Sequence, residues 1–338
     1  MLPTELAIWQ QKALTVATSE DPFIFSTQMI SELHLRPLAR LIVTWANGLQ
    51  LSLPAGPGGR PQTYLDESIL VTIMVMSVWQ LSPEALIRRL KRWSDLALAC
   101  GFAPGEVISS SQLRRRRDNL GIWVYFLTFC ILVLILIRRG LLLGRDWVID
   151  ATIIDAFSKD DPEADWSFSH RFCYKVHMLI CRDSLLPIMF LLSPANANDG
   201  PWAPRLMALA HALFALPVRV VRADAAYYTQ AVLTFIINVL GAVPKVVYNP
   251  RRAGKKALVT LEGVAQSRQD RGKRGYIERF FAVLKRYYRL NHLQGTGLWA
   301  AYRHACEVCF AVLLVAWLAD HVGRPDLIHA RSRLLAPC

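Results

Sequence analysis

The sequence is short of acidic residues and of the features that mark disorder. Its 338 residues include 26 Asp and Glu against 39 Lys and Arg, and 19% are charged, whereas 53% are hydrophobic. This composition leaves no room for a long disordered region, and no internal repeat or low-complexity tract is visible. We therefore expect a globular chain that is long enough for two domains.

The sequence also lacks the cysteine pattern of a secreted or zinc-binding protein. Its seven cysteines, an odd number, lie mostly in apolar runs, and no signal peptide is recognisable. Cys306 and Cys309 have the spacing of half a zinc site, but no second pair exists. We expect reduced, buried cysteines and a cytoplasmic, nucleoid-associated protein.

One uncharged run raises the question of a membrane span. Residues 120–137 contain no charge and have arginines on both sides. A run of 18 residues is at the lower limit for a span, and flanking arginines at both ends favour neither orientation. We expect a helix buried in a large core and no membrane partner, with a span as the alternative.

Positive charge is concentrated late in the chain. Of the net charge of +13, residues 249–303 contribute +10, from 13 Lys and Arg against 3 Asp and Glu. Such a concentration indicates a polyanion, most simply nucleic acid, rather than a small-molecule substrate. The candidate DNA-binding residues of this segment are Arg251, Arg252, Lys255, Lys256, Arg271, Arg274, Lys285 and Arg289.

The first 140 residues are predicted to form a helical DNA-binding or dimerisation region. Ser82, Pro83 and Glu84 are typical of a helix N-terminus, and a second helix start lies near Ser110. Four consecutive arginines in the second helix cannot share one face, so that some can contact phosphates while others are solvated. These candidate DNA-binding residues are Arg114, Arg115, Arg116 and Arg117.

After residue 140 the pattern changes to strands that alternate with helices. A strand at 146–154 precedes a hairpin at 171–193, and further strands at 218–224 and 243–249 follow helices. This order predicts an α/β domain, a mixed sheet with helices on both faces, over residues 141–322, followed by a tail at 323–338. The acids of residues 160–165 are interpreted as a solvated loop.

Three acidic residues occupy distinctive places. Asp150 lies within an apolar strand, Asp224 ends the strand before "AAYY", and Glu278 lies on the most basic helix. If the first and fourth strands are neighbours, the aspartates meet, and a helix across the sheet can bring the glutamate. Three gathered carboxylates favour a divalent cation, Mg²⁺ or Mn²⁺.

Each acid also has an ordinary alternative. Asp150 can cap a turn, Asp224 can cap the following helix, and Glu278 can pair with Arg274 on the helix surface. Helical geometry adds that Arg274, Glu278, Lys285 and Arg289 fall within about 40° of one stripe. A glutamate among three cations suits a carboxylate that holds metal while its neighbours hold phosphates.

With these motifs on one chain, the sequence resembles the DDE transposases of bacterial insertion sequences, in the group with a Tyr-x2-Arg-x3-Glu-x6-Lys signature. Arg274, Glu278 and Lys285 have the spacings of that signature, while Arg271 stands at its tyrosine position. "VIDATII" and "VRADAAYYT" look like the two aspartate strands of that family. Only 54 positions separate Asp224 from Glu278, which leaves no room for the large β insertion of some relatives.

The resemblance implies an RNase H-like catalytic fold and metal-dependent phosphoryl transfer on DNA. Asp150, Asp224 and Glu278 are then the catalytic and metal-binding residues, with two Mg²⁺ or Mn²⁺ ions per site. The family's hairpin carries Lys175 and His177, which are candidates for contacts to DNA, although His177 is equally well explained as a core histidine. The implied protein binds the inverted repeats of its element, cuts and joins DNA, and acts as a homodimer.

Two other functions remain open from the sequence. The same fold can be a nuclease without strand transfer, or a domesticated protein that binds DNA but no longer cuts it. The intact acidic trio argues against the second of these.

Overall fold

The structure is a computed structural model that describes residues 24–49, 63–103, 105–247 and 268–335. For residue 24 and residues 268–274 the backbone alone is described. The chain divides into two compact units. Unit 1 comprises Met1–Leu132 and Cys309–Cys338, and unit 2 comprises Val133–Val308.

These units do not share the limits that we expected at residues 140 and 322. Their borders fall within two helices, and the C-terminal residues group with the N-terminal helices instead of forming a separate tail. The physical reason is local packing: Arg331 Nη1 donates to the carbonyl of Val78 at 3.1 Å, and His321 Nε2 lies 3.7 Å from Glu32 Oε2.

Unit 1 is built from helices in its described part. They are α1 (Ile24–Glu32), α2 (Leu35–Leu49), α3 (Asp66–Trp79), α4 (Pro83–Arg92), α5 (Ser94–Cys100), α6 (Ser110–Asn119), most of α7 (Gly121–Arg138), the second half of α11 (Leu298–His321) and α12 (Arg331–Leu335). The helix starts expected from the sequence are confirmed. Ser82 Oγ accepts from the Ala85 amide, and Ser109 and Gln112 form a capping box.

The uncharged run forms α7, one of two long apolar helices in the described residues. By length and composition, Gly121–Arg138 and Leu298–His321 could each cross a membrane, and the bent pair α3 and α4 could count as a third such segment. Within the structure, 44% of the apolar window of α7 and 78% of that of α11 are buried. The absence of a membrane partner stays a prediction. The six cysteines in the described ranges are buried and form no disulfide there, as expected.

Unit 2 contains the α/β domain expected from the sequence. Its strands are β1 (Asp146–Asp155), β2 (Asp165–Trp166), β3 (Phe172–Cys181), β4 (Leu186–Pro194), β5 (Val220–Ala223) and β6 (Val243–Val246). Its other helices are α8 (Trp202–Phe214), α9 (Gln230–Thr234), which continues into a π-helical turn (Phe235–Val239), and α10 (Arg268–Tyr287). A 3-10 turn (Ala225–Tyr227) follows β5.

The strands form one mixed sheet in the order β2-β3-β1-β5-β6, with β4 also paired to β3. β3 runs antiparallel to both β1 and β4, whereas β5 and β6 run parallel to β1. This arrangement confirms the prediction of an RNase H-like sheet, in which an antiparallel hairpin precedes two parallel strands. The first and fourth predicted strands, β1 and β5, are neighbours, as the convergence of the two aspartates requires.

The loop between β1 and β2 differs from the solvated acidic loop that we expected. Asp161 is buried, and its Oδ2 accepts from the Gly297 amide at 2.9 Å, while Glu163 Oε2 accepts from the Leu298 amide at 2.8 Å. Both amides belong to the start of α11, where unpaired N–H groups and the helix dipole favour carboxylates. The acids therefore cap a helix from a distant part of the sequence.

Candidate active site

The register of the sheet brings the two aspartates together. Asp146 pairs with Val220 and Val148 with Arg222 in the parallel ladder of β1 and β5. Continued by two residues, the same register sets Asp224 beside Asp150. Neighbouring strands lie about 4.8 Å apart and paired positions share a face of the sheet, so we expect the two carboxylates to lie close together.

A buried ion pair fixes this register. Arg222 Nε donates to Asp146 Oδ1 at 2.9 Å, and Arg222 Nη2 donates to Asp146 Oδ2 at 2.9 Å. The bidentate geometry joins β5 to β1 two residues before Asp224 and four before Asp150. Sequence reasoning missed this pair, because nothing in either local pattern indicates a partner 76 positions away.

Each aspartate accepts a hydrogen bond from a backbone amide. Asp150 Oδ1 accepts from the amide of Ala151 at 2.8 Å, and Asp224 Oδ1 accepts from the amide of Ala226 at 2.8 Å. Asp224 is therefore the N-cap of the 3-10 turn, which was the ordinary alternative for this residue. The cap engages one carboxylate oxygen and leaves the residue able to use the other as a ligand.

Two residues that we did not assign to the site lie near the aspartates. Tyr227 ends the 3-10 turn and is 1% exposed, and within the described ranges its buried hydroxyl has no hydrogen-bond partner. Burial raises the pKa of Tyr227 well above its ordinary value, and the charges of Asp150, Asp199 and Asp224 raise this pKa further. The hydroxyl thus lies within electrostatic range of three carboxylates. The only sequence signal was the position of "AAYY" directly after a strand-ending aspartate.

Asp199 is held by the strand residues that we had assigned to DNA. Lys175 Nζ donates to Asp199 Oδ1 at 3.0 Å and to the carbonyl of Ala197 at 2.7 Å. Lys175 is 8% exposed, and both contacts tie the loop after β4 to the sheet. Its ammonium is therefore engaged within the protein, and this location favours a structural role over the expected DNA contact.

His177 lies in the core. It has no exposed surface, its ring stacks on Trp202 at a centroid distance of 5.2 Å, and its Nε2 lies 2.9 Å from Ser193 Oγ. Burial lowers the pKa of His177 to about 4, with Asp199 acting in the opposite direction. The imidazole is neutral at pH 7, which fits the core alternative rather than a contact to DNA.

Glu278 is exposed on α10, which packs against β1. The buried face of this helix contains Ile277, Phe280 and Leu284. The ring centroid of Tyr276 lies 5.5 Å from Arg182 Cζ, and Arg182 directly follows β3. Because a helix turns 100° per residue, Glu278 lies about 200° round the helix from Tyr276, on the flank away from Arg182.

The cations of α10 occupy different environments. Lys285 is half-buried, and burial lowers its pKa, as does nearby Arg171, while Asp155 acts in the opposite direction. Arg289 is exposed just after the helix, in a left-handed conformation with φ of 55°. Arg271 and Arg274 lie where the backbone alone is described. Arg251, Arg252, Lys255 and Lys256 lie outside the described residues.

The four consecutive arginines of α6 separate into two pairs. Arg114, which contacts Glu84 at 2.6 Å, and Arg115 are exposed. Arg116 and Arg117 are half-buried. Arg116 Nη2 donates to the carbonyl of Tyr64 at 3.0 Å and contacts Asp66, so this arginine holds the start of α3. Arg114 and Arg115 stay candidates for phosphate contacts.

The donor chemistry of the aspartate pair fits a hard divalent cation. Carboxylate oxygens are the ligands that Mg²⁺ and Mn²⁺ prefer, and a buried, unpartnered hydroxyl beside them marks a polar site. Within the described ranges, however, no group of three or more His, Cys, Asp or Glu side chains is arranged to hold a metal ion. The predicted convergence of Asp150 and Asp224 fits the register of their strands, and among the described residues Glu278 does not form a three-acid group with them.

The mixed sheet, in which an antiparallel hairpin precedes two parallel strands, has the topology of the RNase H-like class. A profile of the transposase DDE domain family matches residues 144–314, half of the chain. The chain therefore belongs to this family, and it is a DNA transposase, an enzyme of metal-dependent DNA cleavage and strand transfer. Transposases of this family act on DNA and use divalent metal ions.

Solved structures of other transposases are similar but distant. The piggyBac transposase in a synaptic complex with hairpin DNA is 9% identical, with 95% of this chain and 82% of that chain covered and a TM-score of 0.42. The Mos1 mariner transposase in a paired-end complex with Mn is 13% identical, with 88% and 98% covered and a TM-score of 0.22. No curated protein matches the sequence.

Proposed function

We propose that Asp150, Asp224 and Glu278 are the catalytic carboxylates of this transposase, and that they cut and join DNA at the inverted repeats of its own element. The observation that carries this proposal is the parallel register of β1 and β5, which would pair Asp224 with Asp150 if it continued for two residues. Two carboxylates at adjacent positions repel each other in the absence of a cation. Their juxtaposition on a family fold for phosphoryl transfer supports a catalytic function rather than a structural one.

The metal would be held first by the aspartate pair. Two Mg²⁺ or Mn²⁺ ions, when bound, would activate the attacking oxygen and neutralise the charge that develops on the leaving oxygen. The protein contributes position: Arg222 and Asp146 hold the two strands in register, and backbone amides orient one oxygen of each aspartate. These contacts reduce the freedom of both carboxylates before any ligand arrives.

Glu278 would complete the site from α10. The helix packs on β1, and the flank that carries Glu278 is opposite the one on which Tyr276 contacts Arg182 after β3. β3 and β5 pair with opposite edges of β1, the strand that α10 packs against. A metal and a DNA strand would draw the glutamate towards the aspartates.

The cations around Glu278 would hold the DNA backbone. Arg274 and Lys285 belong to the same stripe of the helix as Glu278, whereas Arg289 lies beyond the end of the helix at Tyr287, so its place on the predicted stripe was wrong. Loss of hydration makes Lys285 a weaker base, so a phosphate nearby would restore the stability of its charged form. Arg271 and the basic residues 251–256 would extend this contact along the strand.

The assembly and cellular location follow from the reaction. Both ends of an element must be held together during transposition, which supports a homodimer. The substrate of the proposed reaction is chromosomal DNA, which supports a location at the nucleoid. The described cysteines form no disulfide among themselves, which supports a reducing, cytoplasmic environment.

The test uses full-length protein and a plasmid that carries the inverted repeats flanking the gene. Asp150→Asn, Asp224→Asn and Glu278→Gln are each expected to lower the cleavage rate by about a thousandfold or more, because each removes a charged ligand. Gel analysis measures strand cleavage, and a mobility shift measures end binding. Removal of metal with EDTA is expected to stop cleavage and to spare binding, and added Mg²⁺ or Mn²⁺ to restore it.

Asp160→Asn serves as the matched control, since this exposed acid lies in the loop after β1 and contacts only Ser158 in the described structure. The control is expected to cleave like the parent protein. Parental cleavage by Glu278→Gln would remove Glu278 from the site, and parental cleavage by Asp224→Asn would overturn the proposed site as a whole.

A further inference from the structure

The hydroxyl of Tyr227 is an exception to the rule that buried polar groups find partners. It is enclosed by protein and has no hydrogen-bond partner among the residues that the structure describes. Burying a hydroxyl without a partner destabilises a fold, and a phenylalanine would fill the same space without this cost. An unsatisfied group of this kind needs an explanation, and a ligand or a second state of the site is one.

The position of this hydroxyl supplies the explanation. The 3-10 turn begins at its N-cap Asp224 and ends at Tyr227, so the backbone turns back towards the aspartate pair. The amide of Tyr227 donates to the carbonyl of Asp224 at 3.2 Å, which fixes the distance between the two residues. The effect of Asp150, Asp199 and Asp224 on the pKa of Tyr227 agrees with this placement.

Asp199 belongs to a hydrogen-bonded network next to Tyr227. Lys175 Nζ donates to Asp199 Oδ1 at 3.0 Å, which fixes the position of that carboxylate. His177, which lies 3.8 Å from the same oxygen, is neutral at pH 7 because burial lowers its pKa. A phenolic hydroxyl among carboxylates can act only as a hydrogen-bond donor to them.

We propose that Tyr227 is a positioning residue of the active site, whose hydroxyl donates to the carboxylate of Asp150 or Asp224 when a divalent cation is bound. This inference rests on the proposed function of that aspartate pair. With the cation bound, the carboxylate oxygens turn to the metal, and the hydroxyl fixes their orientation. Hydrogen bonds to ligand carboxylates of this kind commonly determine metal affinity.

Metal affinity distinguishes the proposed role of the Tyr227 hydroxyl from simple packing of the tyrosine ring. If Tyr227 only fills space, its hydroxyl contributes nothing to metal binding. If it positions an aspartate, its loss weakens metal binding while the metal-free protein becomes no less stable, because an unpaired buried group disappears. The two measurements therefore move in different directions.

The experiment compares Tyr227→Phe with Tyr228→Phe in full-length, DNA-free protein. Tyr228 is the adjacent buried tyrosine, 2% exposed, and has no assigned function in the site, so its variant is a matched control. Titration with Mn²⁺ alone, followed by electron paramagnetic resonance, gives the dissociation constant. We expect Tyr227→Phe to raise this constant about tenfold. The same variant should melt at or above the temperature of the parent without metal, and Tyr228→Phe should bind Mn²⁺ like the parent.

Asp224→Asn distinguishes the failure of the inference from the failure of the site. If Asp224→Asn abolishes Mn²⁺ binding and Tyr227→Phe binds Mn²⁺ like the parent, the site stands and the role of Tyr227 is overturned. That role is also overturned if Tyr227→Phe lowers the melting temperature without changing the Mn²⁺ affinity. If Asp224→Asn binds Mn²⁺ like the parent, the aspartate pair is not the metal site and both proposals fail.

Discussion

At the scale of single residues, the environment of His177 illustrates how burial decides the chemistry of a side chain. The same imidazole on the protein surface would titrate near pH 6.5, whereas burial against Trp202 lowers its pKa to about 4. The unfolded chain therefore binds a proton between these two pH values that the folded chain does not bind. Protonation must consequently favour unfolding.

This difference predicts a loss of stability in acid. The contribution of His177 is present above pH 6.5 and is lost as the pH falls from 6.5 towards 4, by roughly 3 kcal/mol at most. Denaturant unfolding of the parent at pH 7.5 and pH 5 measures the loss. In His177→Asn, the free energy of unfolding should change less between pH 7.5 and pH 5 than it does in the parent, because the contribution of this imidazole is gone.

An exposed histidine provides the control for this prediction. His292→Asn, a change in an exposed histidine after α10, should keep the full acid sensitivity of the parent. An unchanged pH dependence in His177→Asn would show that this imidazole is not buried in its neutral form.

The candidate catalytic aspartates could be predicted from sequence, whereas the residues around them could not. Asp150 and Asp224 stand out because a carboxylate in or directly after an apolar strand is costly without a function. Asp161 and Tyr227 have no comparable local signal. Asp161 caps a helix 136 positions away, and the importance of Tyr227 depends on an unsatisfied hydroxyl that only a structure displays.

At the scale of secondary-structure elements, the pairing of β1 with β5 determines the relative position of the two candidate catalytic aspartates. Arg222 and Asp146 are both largely buried, and their bidentate contact lies at the beginning of the ladder. A one-residue shift of this ladder would turn the side chains of β5 to the opposite face. The ion pair therefore opposes a register shift that would move Asp224 relative to Asp150.

Removal of Arg222 from the ion pair should lower the free energy of unfolding. Arg222→Ala leaves Asp146 with Arg182, whose Nη1 is 3.6 Å away, as its other cation among the described contacts. An inadequately paired buried charge commonly costs about 3 kcal/mol or more, so we expect a loss of that size in the free energy of unfolding, measured with urea. The cleavage rate should fall as well, since the register is less well defined.

The exposed pair of Arg324 and Asp326 gives the matched control. Its bidentate geometry is similar, with distances of 2.8 and 2.9 Å, but both side chains are about half exposed. Arg324→Ala should therefore cost no more than about 1 kcal/mol. Equal losses in the two variants would contradict the assignment of the register to the Arg222 pair.

Elements with strong local signals were predicted well. Capping residues identified the starts of α4 and α6, and apolar runs identified the hairpin of β3 and β4. Two features were missed: the two-residue strand β2 and the π-helical turn after α9. Both depend on tertiary pairing and packing, because neither has enough residues for a periodic pattern of its own.

At the scale of the whole molecule, positive charge is concentrated in one segment of the chain. Most of the net charge of +13 belongs to residues 249–303, which include α10 and the basic residues before it. If these residues contact phosphates, binding releases counterions, and affinity falls steeply with salt. The logarithm of the binding constant should then be linear in the logarithm of the salt concentration.

A fourfold substitution tests this electrostatic contribution. Replacement of Arg251, Arg252, Lys255 and Lys256 by Gln is expected to reduce the salt slope by about 0.9 for each lost phosphate contact, or about 3 to 4 in total. Fluorescence anisotropy with end DNA measures this slope. The control variant replaces four exposed arginines of unit 2 outside the proposed DNA contact: Arg138, Arg139, Arg145 and Arg219. An equal decrease in both variants would indicate a general charge effect.

Because unit 1 consists of two segments with unit 2 between them, the ribosome completes unit 1 only after it has synthesised unit 2. The helices before Leu132 leave the ribosome early, but the segment from Cys309 that belongs to the same unit follows only after the whole of Val133–Val308. At translation rates of about 5 to 20 residues per second, this interval lasts roughly 10 to 35 s. During that time the early helices display apolar surface that α11 and α12 cover later, which makes the nascent chain a substrate for chaperones.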